Sequence, residues 1–208
     1  GPNKVRMGDI NNDGKLDLLV SGVSYHLTAF LRTGPGTYNF AVIIGSSSPI
    51  VDETLQKDVP KNLKMIKTKI WEPYQLAEKF GKDNKKFKAG QIDDGENQSW
   101  KAKLSIFVRG NFFIPDARVF WVKPSVEFLE KYLKVNHYDV LVTTGPPHSL
   151  HLIGLSLKKK FPDLKWIADF RDPWTEISYY KHLKLTNKSD KKHRFLESEV
   201  FKNADITL

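Results

Sequence analysis

The sequence predicts an α/β protein: a three-layer domain on a parallel sheet, preceded by a short β segment. Three observations predict it. Residues 139–174 read as strand, turn, helix and strand; apolar runs of strand length alternate with helical patterns through residues 41–208; and residues 3–40 break that pattern with an Asp/Asn-rich loop followed by a strand.

Composition sets the bounds. With 208 residues, 40% apolar and 12% aromatic, the chain has material for a buried core in one large domain or two small ones. No run approaches transmembrane length and the N-terminus lacks a signal-peptide pattern, so a cytoplasmic location is expected, with peripheral contact at the inner face of a membrane left open. The chain opens on Gly1-Pro2 rather than Met, which reads as a tag scar or the cut edge of a longer chain. Zero Cys excludes a disulfide framework and thiolate chemistry. The net charge of +9 lies almost wholly beyond residue 50, because Lys4, Arg6, Lys15 and Arg32 are nearly balanced by Asp9, Asp13 and Asp17. A basic domain favours anionic partners such as nucleotide phosphates or acidic lipid headgroups, although a solvated surface accounts equally well for most of these lysines. The charge is dispersed rather than striped, which argues against nucleic acid.

In chain order, the first motif is the loop DINNDGKLD, residues 9–17. Asp9, Asn11, Asp13 and Asp17 place oxygens at loop positions 1, 3, 5 and 9, Gly14 supplies the tight turn, and Lys15 offers its carbonyl at position 7. That is how a hard cation such as Ca2+ is wrapped; the alternative is an Asx-rich hairpin turn that never fills. An EF-hand is excluded, because position 12 is Val20 and a strand follows. One such unit cannot bury its own face, and residues 41–208 hold no second copy.

Residues 41–45 then read as a buried strand, and residues 62–71 as another with Leu63, Met65, Ile66 and Ile70 as its apolar members. Residues 73–80 carry helix signals and residues 81–98 form a polar connector. Residues 99–136 are helical with a break at Pro115: Trp100, Leu104, Phe107 and Val108 mark one face before it, and Phe120, Val126, Phe128, Leu129, Tyr132 and Leu133 continue after it. Core packing is the expected account of Phe112, Phe113 and Phe120, while the alternating basic and aromatic residues from Arg109 to Lys123 also suit a membrane interface or a nucleobase.

The central unit runs from a strand at residues 139–143, through the turn Gly145-Pro146-Pro147 and a helix marked by Leu150, Leu152, Ile153, Leu155 and Leu157, to a second strand at 166–168. Parallel strands gather ligands at their carboxyl ends, so the candidate site falls on residues 144–148 and 169–174. Thr144, Gly145 and Pro146 are the candidate substrate-binding residues at a helix N-terminus, where N–H groups and the dipole suit a phosphate or a developing anion. His148, Asp169, Arg171 and Asp172 are the candidate catalytic residues: an imidazole that titrates near neutrality, a guanidinium fork for a carboxylate or phosphate, and carboxylates for sugar hydroxyls. Trp174 is placed to stack on a sugar face. Each has a plainer reading, as a surface imidazole, an internal Asp–Arg ion pair and a buried Trp after Pro173. His151 reads as structural, and with no carboxylate in that turn the two histidines make a poor zinc site. Beyond the unit, residues 177–184 are amphipathic, Asn187 or Ser189 caps a helix running to Lys202, and residues 205–208 begin a strand whose abrupt stop suggests truncation.

Over residues 41–208 the runs TTGPPHSLHLIGLSLKKKFPDLKWIADFRDPWTEI, RGNFFIPDARVFWVKPS and PIVDETLQKDVP resemble the N-terminal domain of a bacterial family four glycosyltransferase of the GT-B architecture. GDINNDGKLDLLVSG and the following GPGTYNF resemble one FG-GAP or VCBS-type β-propeller repeat, whose blade carries a nine-residue calcium loop. The first resemblance implies a Rossmann-like, acceptor-side domain, truncated here. It also implies transfer of a sugar from a nucleotide-sugar co-substrate to a glycan or lipid-linked acceptor, as in polysaccharide biosynthesis, with retention of configuration and without a metal. The second implies Ca2+ at Asp9, Asn11, Asp13, Lys15 and Asp17. Two departures stand against a complete enzyme. The family's glycine-rich first loop is replaced by the calcium-type segment, and its nucleotide-sugar-binding C-terminal domain does not follow Leu208. The chain alone is therefore expected to have little or no transferase activity, and a calcium-binding adhesion or scaffold module carried by residues 3–40 is the alternative function.

Overall fold

The computed structural model describes residues 4–8, 17–21, 26–32, 38–45, 64–68 and 100–208, the first five segments and residues 101 and 102 as backbone only. Of the calcium-type loop, Asp9, Asn11, Asp13 and Lys15 lie outside the described residues, as do the expected helix at 73–80 and connector at 81–98. Strands β1 (Lys4–Gly8) and β2 (Asp17–Ser21) pair antiparallel with Gly8 opposite Asp17. Strands β3 (His26–Arg32) and β4 (Tyr38–Gly45) pair antiparallel, and β5 (Lys64–Thr68) lies parallel to β4. Strand β4 runs through residue 40, the expected junction between the two segments.

The fully described part is α/β with a small parallel sheet. Helices α1 (Trp100–Phe112) and α2 (Val119–Val135) precede β6 (Val140–Gly145), α3 (Ser149–Lys160) and β7 (Lys165–Phe170). A 3-10 turn (Tyr180–Leu183), α4 (Asn187–Asn203) and β8 (Ile206–Thr207) complete it. Strands β6, β7 and β8 are parallel neighbours, and β3 pairs antiparallel with the outer edge of β6. The expected strand–helix–strand unit is therefore present, but the sheet around it is mixed rather than wholly parallel.

Burial follows the pleat. Leu141, Trp166 and Ala168 point to the face where Trp121 of α2, Leu150, Ile153 and Leu157 of α3 and Val200 of α4 form the main core. Val140, Val142 and Ile167 point the other way and pack with Ile206. Being buried on both faces, β6 has no polar alternation, as parallel strands require. Both strands extend further than their apolar runs. Thr144 pairs with Asp169 and Gly145 with Phe170, so Thr144, Gly145 and Asp169 are strand residues rather than loop residues. The ladder holds them, and the Arg171 N–H continues it by donating to the Gly145 carbonyl at 3.2 Å.

Three local expectations are corrected. The buried side of α1 is Ile106 and Gly110, whereas Trp100 and Leu104 are exposed. Gly110 fixes that side by close approach: a methyl there would lie 2.7 Å from Leu185 Cδ2 and 2.9 Å from the Leu183 carbonyl. Phe112 and Phe120 are exposed too, and the core position beside the Pro115 break belongs to Trp121 and Ile114. The cap of α4 is Thr186, whose hydroxyl accepts from the Ser189 N–H at 3.2 Å, so Asn187 and Ser189 are inside the first turn. No helix among the described residues is long and apolar enough to cross a membrane.

Candidate functional site

The two predicted loops meet at the carboxyl end of the parallel sheet. Arg171, just beyond β7, donates from Nε to the Gly145 carbonyl at 3.1 Å and from Nη2 to the Pro146 carbonyl at 2.6 Å. Its fork is thus spent on the neighbouring turn rather than on a carboxylate. Burial raises the pKa of the Asp169 carboxyl, against the pull of Arg171 and a hydrogen bond with Thr144. Asp172 is exposed beside them.

His148 is buried, 7% exposed, at the position preceding α3. It is not a surface imidazole. Trp174 from the second loop covers it face to face, with ring centres 4.9 Å apart and planes 3° from parallel. Trp174 is itself 3% exposed and donates its indole N–H to His193 Nδ1 at 3.1 Å, while His193 Nε2 lies 3.3 Å from the Gly110 carbonyl. The sugar-stacking role expected of Trp174 is therefore corrected: its ring is taken by His148 and its N–H by α4. Burial drives the pKa of His148 down to about 4, opposed by the charges of Asp116, Glu197 and Asp172. The ring is neutral at physiological pH, which suits hydrogen bonding to a hydroxyl better than pairing with a phosphate.

His151, one turn along α3, is wholly buried, stacks on Phe170 at 4.3 Å and has its pKa held well below the ordinary value by burial. Its Nδ1 lies 2.9 Å from Thr143 Oγ1, which also accepts from Trp166 Nε1 at 2.9 Å. Gly145 lacks a side chain for a reason visible here: a methyl on it would sit 2.5 Å from His151 Nε2 and 3.0 Å from His148 Nδ1. Both nitrogens are buried without a partner.

The helix N-terminus expected to receive a ligand anion already holds one from the chain. Asp116, in the α1–α2 connection, accepts from the Ser149 N–H at 2.9 Å through Oδ2, and from the Ser149 hydroxyl at 2.7 Å and the Arg118 N–H at 2.9 Å through Oδ1. That carboxylate takes the Ser149 N–H, and the next two N–H groups, of Leu150 and His151, donate to the Pro147 and His148 carbonyls, so the donors a phosphate would have used are already engaged. Asp116, Thr143, Glu197 and His193 were not singled out by sequence reasoning. Asp116 sits in the basic and aromatic stretch between Arg109 and Lys123, but a contact 33 residues away has no periodic signal. Glu197 accepts from the Thr175 N–H at 3.1 Å, tying α4 to the second loop.

Among the described residues no group of three His, Asp or Glu side chains is arranged to hold a metal. Asp17 opens β2, where only the backbone is described. No protein-family model, curated protein or solved structure matches the chain.

Proposed function

We propose that residues 41–208 are a Rossmann-like, three-layer acceptor-side domain of a glycosyltransferase, in which the turn at residues 144–148 and the loop at 169–174 hold a hydroxylated sugar. The observation that carries this is the joining of the two loops at the carboxyl end of the parallel strands: Arg171 ties itself to two carbonyls of the first loop and Trp174 lies flat on its His148. His148, neutral and rimmed by the acidic residues Asp116, Asp172 and Glu197, suits a neutral polyol, and Arg171 with Asp169 and Asp172 forms the polar edge. The family rests on the resemblance of the sequence runs named above. On this reading the co-substrate would be a nucleotide-sugar, and the acceptor a glycan or a lipid-linked precursor. The exposed Trp100, Leu104 and Phe112 on α1, with Lys103 and Arg109, offer a surface for peripheral membrane contact.

Nuclear magnetic resonance titration with simple methyl glycosides and with nucleotide-sugars tests the reading. Glycosides are expected to shift the signals of Arg171, Asp172 and His148, and Arg171→Ala to abolish those shifts. Glycosides that move none of these signals would sink the proposal.

A second reading rests on the antiparallel pairing of β1 with β2, which brackets residues 9–16 as a propeller-type calcium loop would be bracketed. Calorimetry separates the two readings. Tight Ca2+ binding that raises the melting temperature of the whole chain favours the calcium module, and neither effect removes it.

A further inference from the structure

We infer that His151 is a positioning residue: Trp166 and Thr143 hold it in the Nε2–H tautomer, and it in turn holds His148 with a bare Nδ1 facing inward and an Nε2–H facing solvent. The chain of donors starts from chemistry that allows no choice. An indole N–H only donates, so Thr143 Oγ1 is the acceptor in its 2.9 Å bond with Trp166 Nε1. The hydroxyl retains one proton. Its other contact is His151 Nδ1 at 2.9 Å, and among the described residues Thr143 has no further partner. Donation from Thr143 to Nδ1 uses that proton. The reverse assignment would strand it without an acceptor in a site where Thr143, Trp166 and His151 are all fully buried, which is the costlier arrangement. His151 therefore has a bare Nδ1, and as a neutral ring it carries its hydrogen on Nε2.

The next link crosses the space beside Gly145. His151 Nε2 and His148 Nδ1 are both buried without partners, and both come to the point where a side chain on Gly145 would begin. Both nitrogens lie within 3.0 Å of that one point, so with an N–H on His151 a second N–H from His148 would crowd like partial charges into a space closed to water, and His148 is lower in energy presenting its lone pair there. The proton of His148 then sits on Nε2, the ring nitrogen that is not in the buried, partnerless set and has no hydrogen-bond partner among the described residues. His148 is thereby set as a neutral hydrogen-bond donor and not as a base. That last consequence rests on the reading of this turn as a ligand site; the tautomers do not.

The test uses the whole chain labelled with 15N-histidine, near neutral pH and without any ligand, so its outcome is separate from that of the glycoside titration. Long-range proton–nitrogen spectra report which ring nitrogen of each histidine is protonated. Protonated Nε2 and bare Nδ1 are expected at both His148 and His151, and an Nδ1–H tautomer at either one overturns the inference. Thr143→Val keeps the shape and removes the hydroxyl, and is expected to release both rings into tautomer mixtures, whereas Thr143→Ser keeps the wild-type pattern. A Thr143→Val spectrum in which His148 is unchanged overturns the coupling. Should that variant fail to fold, the wild-type and Thr143→Ser spectra still decide the assignment.

Discussion

At the scale of single residues, Asp116 does more than any of the residues the sequence advertised. Its two oxygens take the Ser149 N–H, the Ser149 hydroxyl and the Arg118 N–H, fixing the start of α3 and the end of the α1–α2 connection together. Asp116→Ala strands these donors, and is expected to cost about 1–2 kcal/mol, as loss of a helix cap does. Urea unfolding measures it; a midpoint equal to wild type would show that water replaces the carboxylate without loss. The sequence pointed to the right turn and helix, because Gly145, Pro146 and Pro147 are local breakers and the leucines of α3 keep helical spacing. What occupies the helix N-terminus was hidden, since the answer lies on another element and short-range pattern registers only neighbours a few positions away. The burial of Trp174 was readable as the plainer account of a Trp after Pro173, but its partners His148 and His193 were hidden in the same way.

At the scale of elements, the strand–helix–strand unit was legible and the faces of α1 were not. Apolar spacing made Trp100 and Leu104 look inward, yet the side that packs is chosen by Gly110, where Leu183 and Leu185 press against the backbone. A helix with apolar residues on several faces carries no signal for which one wins. The unit itself depends on a comparable approach. Gly154 of α3 lies against the indole of Trp166 so closely that a methyl would overlap the ring. Gly154→Ala is therefore expected to destabilise by about 1–3 kcal/mol despite its better helix propensity, and thermal unfolding checks the sign. A stabilised variant would mean that Trp166 can move aside. On α4, Thr186→Ala removes the hydroxyl that caps the Ser189 N–H, and is expected to cost about 1 kcal/mol. The Thr186 N–H to Asn111 Oδ1 bond at 2.8 Å survives that change, so α1 and α4 stay joined.

At the scale of the whole molecule, acid is the weak direction. His148, His151 and His193 are buried and neutral, and burial is the leading cause that lowers the pKa of each. The unfolded chain takes up protons near the ordinary value of 6.5, while folded His148 resists until about 4. Their contribution to stability is thus complete above about pH 6.5 and is lost as the pH falls toward the folded values, His148 alone accounting for about 3 kcal/mol. Asp205 acts in the same sense. Burial opposes its charge, but the Lys158 hydrogen bond and the Trp166 N–H hold its pKa below the ordinary 3.8, so its share also disappears on acidification. Asp169 acts in the opposite sense, because burial raises its pKa and protonation relieves the folded state. One half-buried carboxyl does not offset three enclosed imidazoles. The urea midpoint is expected to be flat above neutrality and to fall steadily below it, and His148→Asn, which cannot charge, to lose less between about pH 6.5 and pH 4. A wild-type midpoint as high at about pH 4.5 as at pH 7.5 would mean that these rings are not held neutral, and the case for a desolvated His148 beneath Trp174 would go with it.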